Sequence, residues 1–167
     1  MKKKFVMAVA AVAMAAVVGV SAFAAEGAAI PSITGDAATG TSFVAPSSEQ
    51  ASETTKQVYE TIVATEGTTE EKLAAVVSQE KVAEAVAVAG VESAEDLTIR
   101  AVGDVTVSET GEVAMTVAGL QEGDTAVVMY IDANGNWVPV QAVVINGKLV
   151  FKLPKSGTII LLTKKAV

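Results

Sequence analysis

Residues 125–153, TAVVMYIDANGNWVPVQAVVINGKLVFKL, decide how this 167-residue chain is read. The stretch holds two Asn-Gly pairs, at 134–135 and 146–147, each between runs rich in β-branched residues. Asn-Gly favours a two-residue type I′ turn, because both turn positions need positive φ and the turn's twist suits paired strands. A two-residue turn at Asn146-Gly147 sets Val144 opposite Leu149, Ala142 opposite Phe151 and Val140 opposite Leu153. The same turn at Asn134-Gly135 sets Ile131 opposite Val138, Met129 opposite Val140 and Val127 opposite Ala142. Both turns select one apolar face of the middle strand, and a one-residue slip would reverse every side chain. The other face then carries Val128, Tyr130, Trp137, Pro139, Gln141, Val143, Val150 and Lys152. A three-stranded meander with one clear core side is expected.

Strand periodicity extends to both sides. Upstream, Ile99, Ala101, Val105 and Val107 alternate onto one face, and so do Val113, Met115 and Val117. Downstream, residues 158–163 give a last apolar strand. About six strands with regular turns suit a β-sandwich or barrel, and residues 97–167 are assigned as a β-sandwich domain.

Before the strands, residues 49–96 read as two or three short amphipathic helices. Ser48 can cap a helix reaching Thr65, with Val58, Tyr59, Ile62 and Val63 on one stripe and Gly67 as its stop. Thr68-x-x-Glu71 is a capping box preceding Leu73, Val76 and Val77. Ser78 starts a further helix carrying Val82 and Val86, which Gly90 ends. Helices this short need a surface to dock on. Residues 26–48, rich in small and polar residues, read as a flexible leader (25–48 counting from the cleavage point), with a possible edge strand at 41–45.

Lys2–Lys4, an apolar run from Phe5 to Val20 and Ala22-Phe23-Ala24 read as a cleaved signal peptide, residues 1–24. Its removal takes three lysines and moves the formal charge from −7 to −10. So acidic a surface disfavours nucleic acid and anionic membranes as partners. The chain has neither cysteine nor histidine, which removes disulfides, thiol chemistry and Ser-His or Cys-His nucleophiles. No catalytic residue, cofactor or metal site is assigned. Asp132-Ala133-Asn134-Gly135-Asn136 has oxygen donors at alternate positions, but its glycine is fourth and position 12 is Val143, so it fails the helical calcium-loop pattern. Tyr130 and Trp137, expected on one sheet face, are the candidate ligand-binding pair, since exposed rings can stack on sugars; core packing is the ordinary role of such rings. Leu153-Pro154-Lys155-Ser156-Gly157 resembles a cell-wall sorting signal. Only four apolar residues follow Thr158, however, far short of the ~20 that span a bilayer. A strand–turn–strand reading is preferred.

The line Val117, Gly119, Leu120, Gly123, Asp124, Val127, Val128, Gly135, Trp137, Val138 resembles small Ig-like β-sandwich modules of secreted proteins from Gram-positive anaerobes, as does the Ala-Gly-Val-Glu lead-in at 89–92. The resemblance implies a fold and carries no catalytic residues. With the signal peptide and the absence of site chemistry, the chain reads as a secreted, non-catalytic structural or interaction module at the cell surface or outside the cell, with a protein or cell-wall glycan as partner. A glycan-binding module using the two rings is the alternative, and an enzyme built on a carboxylate pair, as in glycoside hydrolysis, is a distant third.

Overall fold

The structure, a computed structural model, describes residues 33–165. The expected signal peptide and the first residues of the leader lie outside them. The chain forms β1 (Ile33–Gly35), a 3-10 turn (Ala37–Thr39), β2 (Ser42–Val44), α1 (Glu53–Ala64), α2 (Thr69–Ala74), α3 (Gln79–Ala89), a second 3-10 turn (Ala94–Asp96), then β3 (Leu97–Thr106), β4 (Glu112–Val117), β5 (Thr125–Ile131), β6 (Trp137–Ile145), β7 (Lys148–Lys152) and β8 (Gly157–Lys164).

The protein is mainly β with a helical segment ahead of the long strands. All eight described strands join one antiparallel sheet, ordered β1-β4-β7-β6-β5-β8-β3-β2. The sheet curls until its edge strands, β1 and β2, approach each other, giving a nearly closed, barrel-like form in place of the two-sheet sandwich expected from the sequence. The six strands expected from the sequence are present. The edge strand expected at 41–45 is present as β2, and the flexible leader is corrected from Ile33 onward: it also supplies β1, because Ile33, like Phe43, packs on the inward-facing core. At the seam, a Cβ on Gly103 would lie 2.3 Å from the Phe43 ring, so only glycine lets β2 lie against β3 there.

Two apolar layers hold the fold. Val113, Met115, Ala126, Val128, Ala142, Val144, Leu149, Phe151, Ile159 and Leu161 fill the concave side. On the convex side, Leu97, Ile99, Val102, Val127, Met129, Ile160 and Leu162 meet Val58, Ile62, Leu73, Val77, Val82 and Ala85 of the helices. Both faces of β3, β5 and β8 are therefore buried. Burial at ~25 cal/mol per Å² of apolar surface is the main source of stability, and it ties helices and sheet into one structure.

The helix caps follow the sequence closely. The Thr68–Glu71 capping box forms, Ser78 caps α3, and Gly90 ends it in the left-handed conformation at φ 67°. Both ends of α1 differ: Ser52, not Ser48, is its N-cap and accepts from the Thr55 amide, and the helix closes at Thr65, two residues before the Gly67 expected to stop it.

The meander register is half corrected. Ile145 pairs with Lys148 and Val144 with Leu149 across a two-residue turn in which Asn146 (φ 53°) and Gly147 (φ 75°) are both left-handed. The turn at Asn134-Gly135 is longer. Asp132 and Asn136 close a three-residue loop through an Asp132 N–H to Asn136 O bond of 2.8 Å, and only Gly135 takes positive φ. This is a type I turn with a glycine bulge, for which aspartate is favoured at the first position. Ile131 thus faces Trp137 and Ala126 faces Ala142, one residue away from the expected register. Ala126, Val128 and Tyr130 point to the concave side, while Val127 and Met129 lie under the helices. Strand β3 carries a second correction. A bulge at Arg100 sets Ile99 opposite Leu162 but Ala101 opposite Leu161, so Ile99 joins the helix layer while Ala101 faces inward.

Candidate functional site

The most developed polar constellation lies where α1 meets β3 and β8. The Asp104 carboxylate accepts from the Ser52 amide (2.6 Å), the Ser52 hydroxyl (2.9 Å) and the Thr55 hydroxyl (2.7 Å), with Thr158 Oγ1 at 3.3 Å. Thr55 and Thr158 are buried, and their hydroxyls lie 2.9 Å apart. Asp104 reaches this place because Val44 lies opposite it on one side and Thr158 on the other. The first turn of a helix favours negative charge, and Asp104 supplies it from outside the helix. The constellation sets one carboxylate among three hydroxyls, and each of these bonds runs between α1 and the sheet or within the sheet. Its action is to bolt α1 onto the sheet.

Other acids are used in the same way. The two oxygens of Glu122 accept from the Asn146 and Gly147 amides, each at 3.0 Å, and clamp the type I′ turn. Asp132 Oδ1 accepts from the Asn134 (2.8 Å) and Asn136 (2.9 Å) amides. The Asn136 amide, then the Asn134 amide and the nearby Lys155 charge hold this carboxyl below its usual range. The 132–136 loop thus engages its one carboxylate with the backbone, and no group of three or more metal-ligating side chains occurs among the described residues. Asp36, between β1 and β2, pairs with Lys148 of β7 and accepts from the Ala38 amide; the Lys148 bond first, then that amide, lowers its pKa. These aspartate roles are not visible as motifs, because each partner is distant in sequence or is a backbone amide.

Tyr130 and Trp137, the proposed sugar-stacking pair, fall on opposite faces. Tyr130 packs against the concave core and Trp137 against the helix layer, each half-buried. The one-residue difference in register separates them, so they do not form a shared platform. Within Leu153-Pro154-Lys155-Ser156-Gly157, residues 154–156 are exposed, but Ser156 Oγ accepts from the Val107 amide at 2.9 Å. Cutting after Ser156 would detach β8, the strand between β3 and β5.

Charge is divided between the layers. Residues 49–96 contain eleven acidic and three basic residues, whereas 97–165 contain six of each. The negative surface therefore belongs to the helices. No described helix is long and apolar enough to cross a membrane. Comparison with known proteins found no matching family model, no matching curated protein and no matching solved structure.

Proposed function

We propose that this protein is a secreted, non-catalytic structural or interaction module acting at the bacterial cell surface or in the extracellular space. The observation that carries the reading is the use of its carboxylates. Asp36, Asp104, Glu122 and Asp132 are each engaged in positioning backbone or anchoring one element to another. A general acid or base must lie within hydrogen-bond reach of the proton that it moves, and these four reach the protein's own backbone and side chains. The apolar concave core and the helix-covered convex face leave the acidic helices and the loops to meet a partner. Kinship with small Ig-like modules is part of the proposal; it rests on the 117–138 line and has to accommodate a single curled sheet. The glycan alternative loses its two-ring platform and is not favoured.

The test is expression of the full chain in a Gram-positive host, with fractionation and mass determination. Material outside the cell beginning at Ala25, which captures a defined surface protein on cross-linking, is the expected result. An uncleaved chain retained inside the cell would overturn the proposal.

A further inference from the structure

The two Asn-Gly pairs look equivalent in the sequence, and the fold makes them chemically different. In an Asn-Gly pair the glycine nitrogen can attack the asparagine Cγ after losing its proton. A nitrogen–carbon bond forms, the Cγ–Nδ2 bond breaks and ammonia leaves; water then opens the five-membered imide to aspartate or isoaspartate. The reaction needs a nitrogen that can become anionic and move toward its own side chain.

At Asn146-Gly147 both amides are held by one carboxylate, with Gly147 N–H 3.0 Å from Glu122 Oε2 and Asn146 N–H 3.0 Å from Oε1. Charge-assisted bonds of this kind are roughly twice as strong as neutral ones. A carboxylate beside the attacking nitrogen also opposes negative charge developing there. Asn146 is further fixed in the left-handed conformation at φ 53°. At Asn134-Gly135, by contrast, the glycine N–H donates to a neutral carbonyl, Asp132 O, at 3.1 Å. The Asp132 carboxylate binds the amides on either side, those of Asn134 and Asn136, and leaves that of Gly135 to the carbonyl. Residues 133–136 are all exposed, so water reaches an imide formed there.

We propose that Asn134 is the site of spontaneous deamidation in this protein, and that Glu122 protects Asn146 by holding the Gly147 amide. Isoaspartate at 134 would route the main chain through the former side chain and lengthen a three-residue loop by one atom.

The test is peptide mapping by mass spectrometry of the whole protein aged at mildly alkaline pH, natively and in urea. Native protein should lose the Asn134 amide about tenfold faster than that of Asn146, a gap of about 1.4 kcal/mol in barrier. In urea the two rates should converge, since both asparagines precede glycine. Glu122→Ala and Glu122→Gln, checked by circular dichroism to be folded, should raise the Asn146 rate toward that of Asn134. Equal native rates, faster reaction at Asn146, or a gap unchanged by both folded variants would overturn the proposal. Should the variants unfold, the native-against-urea comparison decides alone.

Discussion

Thr55 Oγ1 donates to Asp104 Oδ1 at 2.7 Å, and this bond joins the first turn of α1 to a sheet residue 49 positions later. Asp104→Ala leaves the Thr55 and Thr158 hydroxyls and the Ser52 amide short of an acceptor. An unsatisfied buried polar group costs about 1–3 kcal/mol. We expect Asp104→Ala to lose roughly 2–4 kcal/mol in urea unfolding, and Thr55→Val about half that. A loss below ~0.5 kcal/mol for Asp104→Ala, the level of an ordinary surface change, would show that the network does not hold the helix.

Trp137, the only tryptophan, packs on the core shared by helices and sheet. Ile62, fully buried in that core, should cost about 2–5 kcal/mol when changed to alanine. Trp137 emission and far-UV circular dichroism should then change in one transition. Loss of helical signal while the Trp137 environment and the sheet persist would mean that the layers fold separately.

The seam offers a local test. A methyl at position 103 would meet the Phe43 ring at 2.3 Å and the Val44 carbonyl at 2.8 Å. Gly103→Ala should therefore displace β2 and cost about 1–3 kcal/mol. Faster amide exchange in 42–44 and in the facing half of β3 should accompany the loss, and unchanged exchange would refute the close packing.

Asp36 and Asp132 have pKa values lowered in the folded protein, the first by the Lys148 bond above all, the second by the Asn136 amide above all. A depressed carboxylate stabilises the fold above its unfolded pKa, and that contribution is lost as pH falls through the folded value. Thermal stability should thus decline below about pH 4. Lys148→Met should flatten part of this decline by removing the main cause at Asp36. A decline of equal steepness in the variant would contradict the assignment.

Much of this fold is legible in the sequence because its signals are local. Thr68 and Glu71 satisfy one another within a single turn, and Gly90 needs only its own φ. The Asn146-Gly147 turn is likewise set by two adjacent residues. The Asn134-Gly135 turn is not, because Asp132 competes for its geometry from two positions away and gains two amide bonds by doing so. With both faces of β5 apolar, hydrophobic alternation did not discriminate between the registers, and the turn alone decided. The Arg100 bulge left no mark in the pattern for the same reason. Of the edge strands, β2 shows in the sequence only as a short edge strand at 41–45 and β1 not at all, because each is three residues long and depends on an edge of β3 or β4 formed far along the chain. The Asp104 cluster joins residues 49 to 54 positions apart, which spacing does not reveal.

The register of β5 on β6 fixes which side chains line each layer, so it is the point on which the account turns. Val127 lies opposite Gln141, whereas Ala142 lies opposite Ala126 and on the other face from Val127. The chain has no cysteine, so a designed pair is unambiguous. Disulfides need Cβ atoms about 3.5–4.5 Å apart on the same side. Val127→Cys with Gln141→Cys should form a bond on mild oxidation, read as a gel shift and a loss of free thiol. Val127→Cys with Ala142→Cys, the pair demanded by a two-residue turn at Asn134-Gly135, should remain reduced. Efficient closure of the second pair and failure of the first would contradict the register and, with it, the division of the core into two layers.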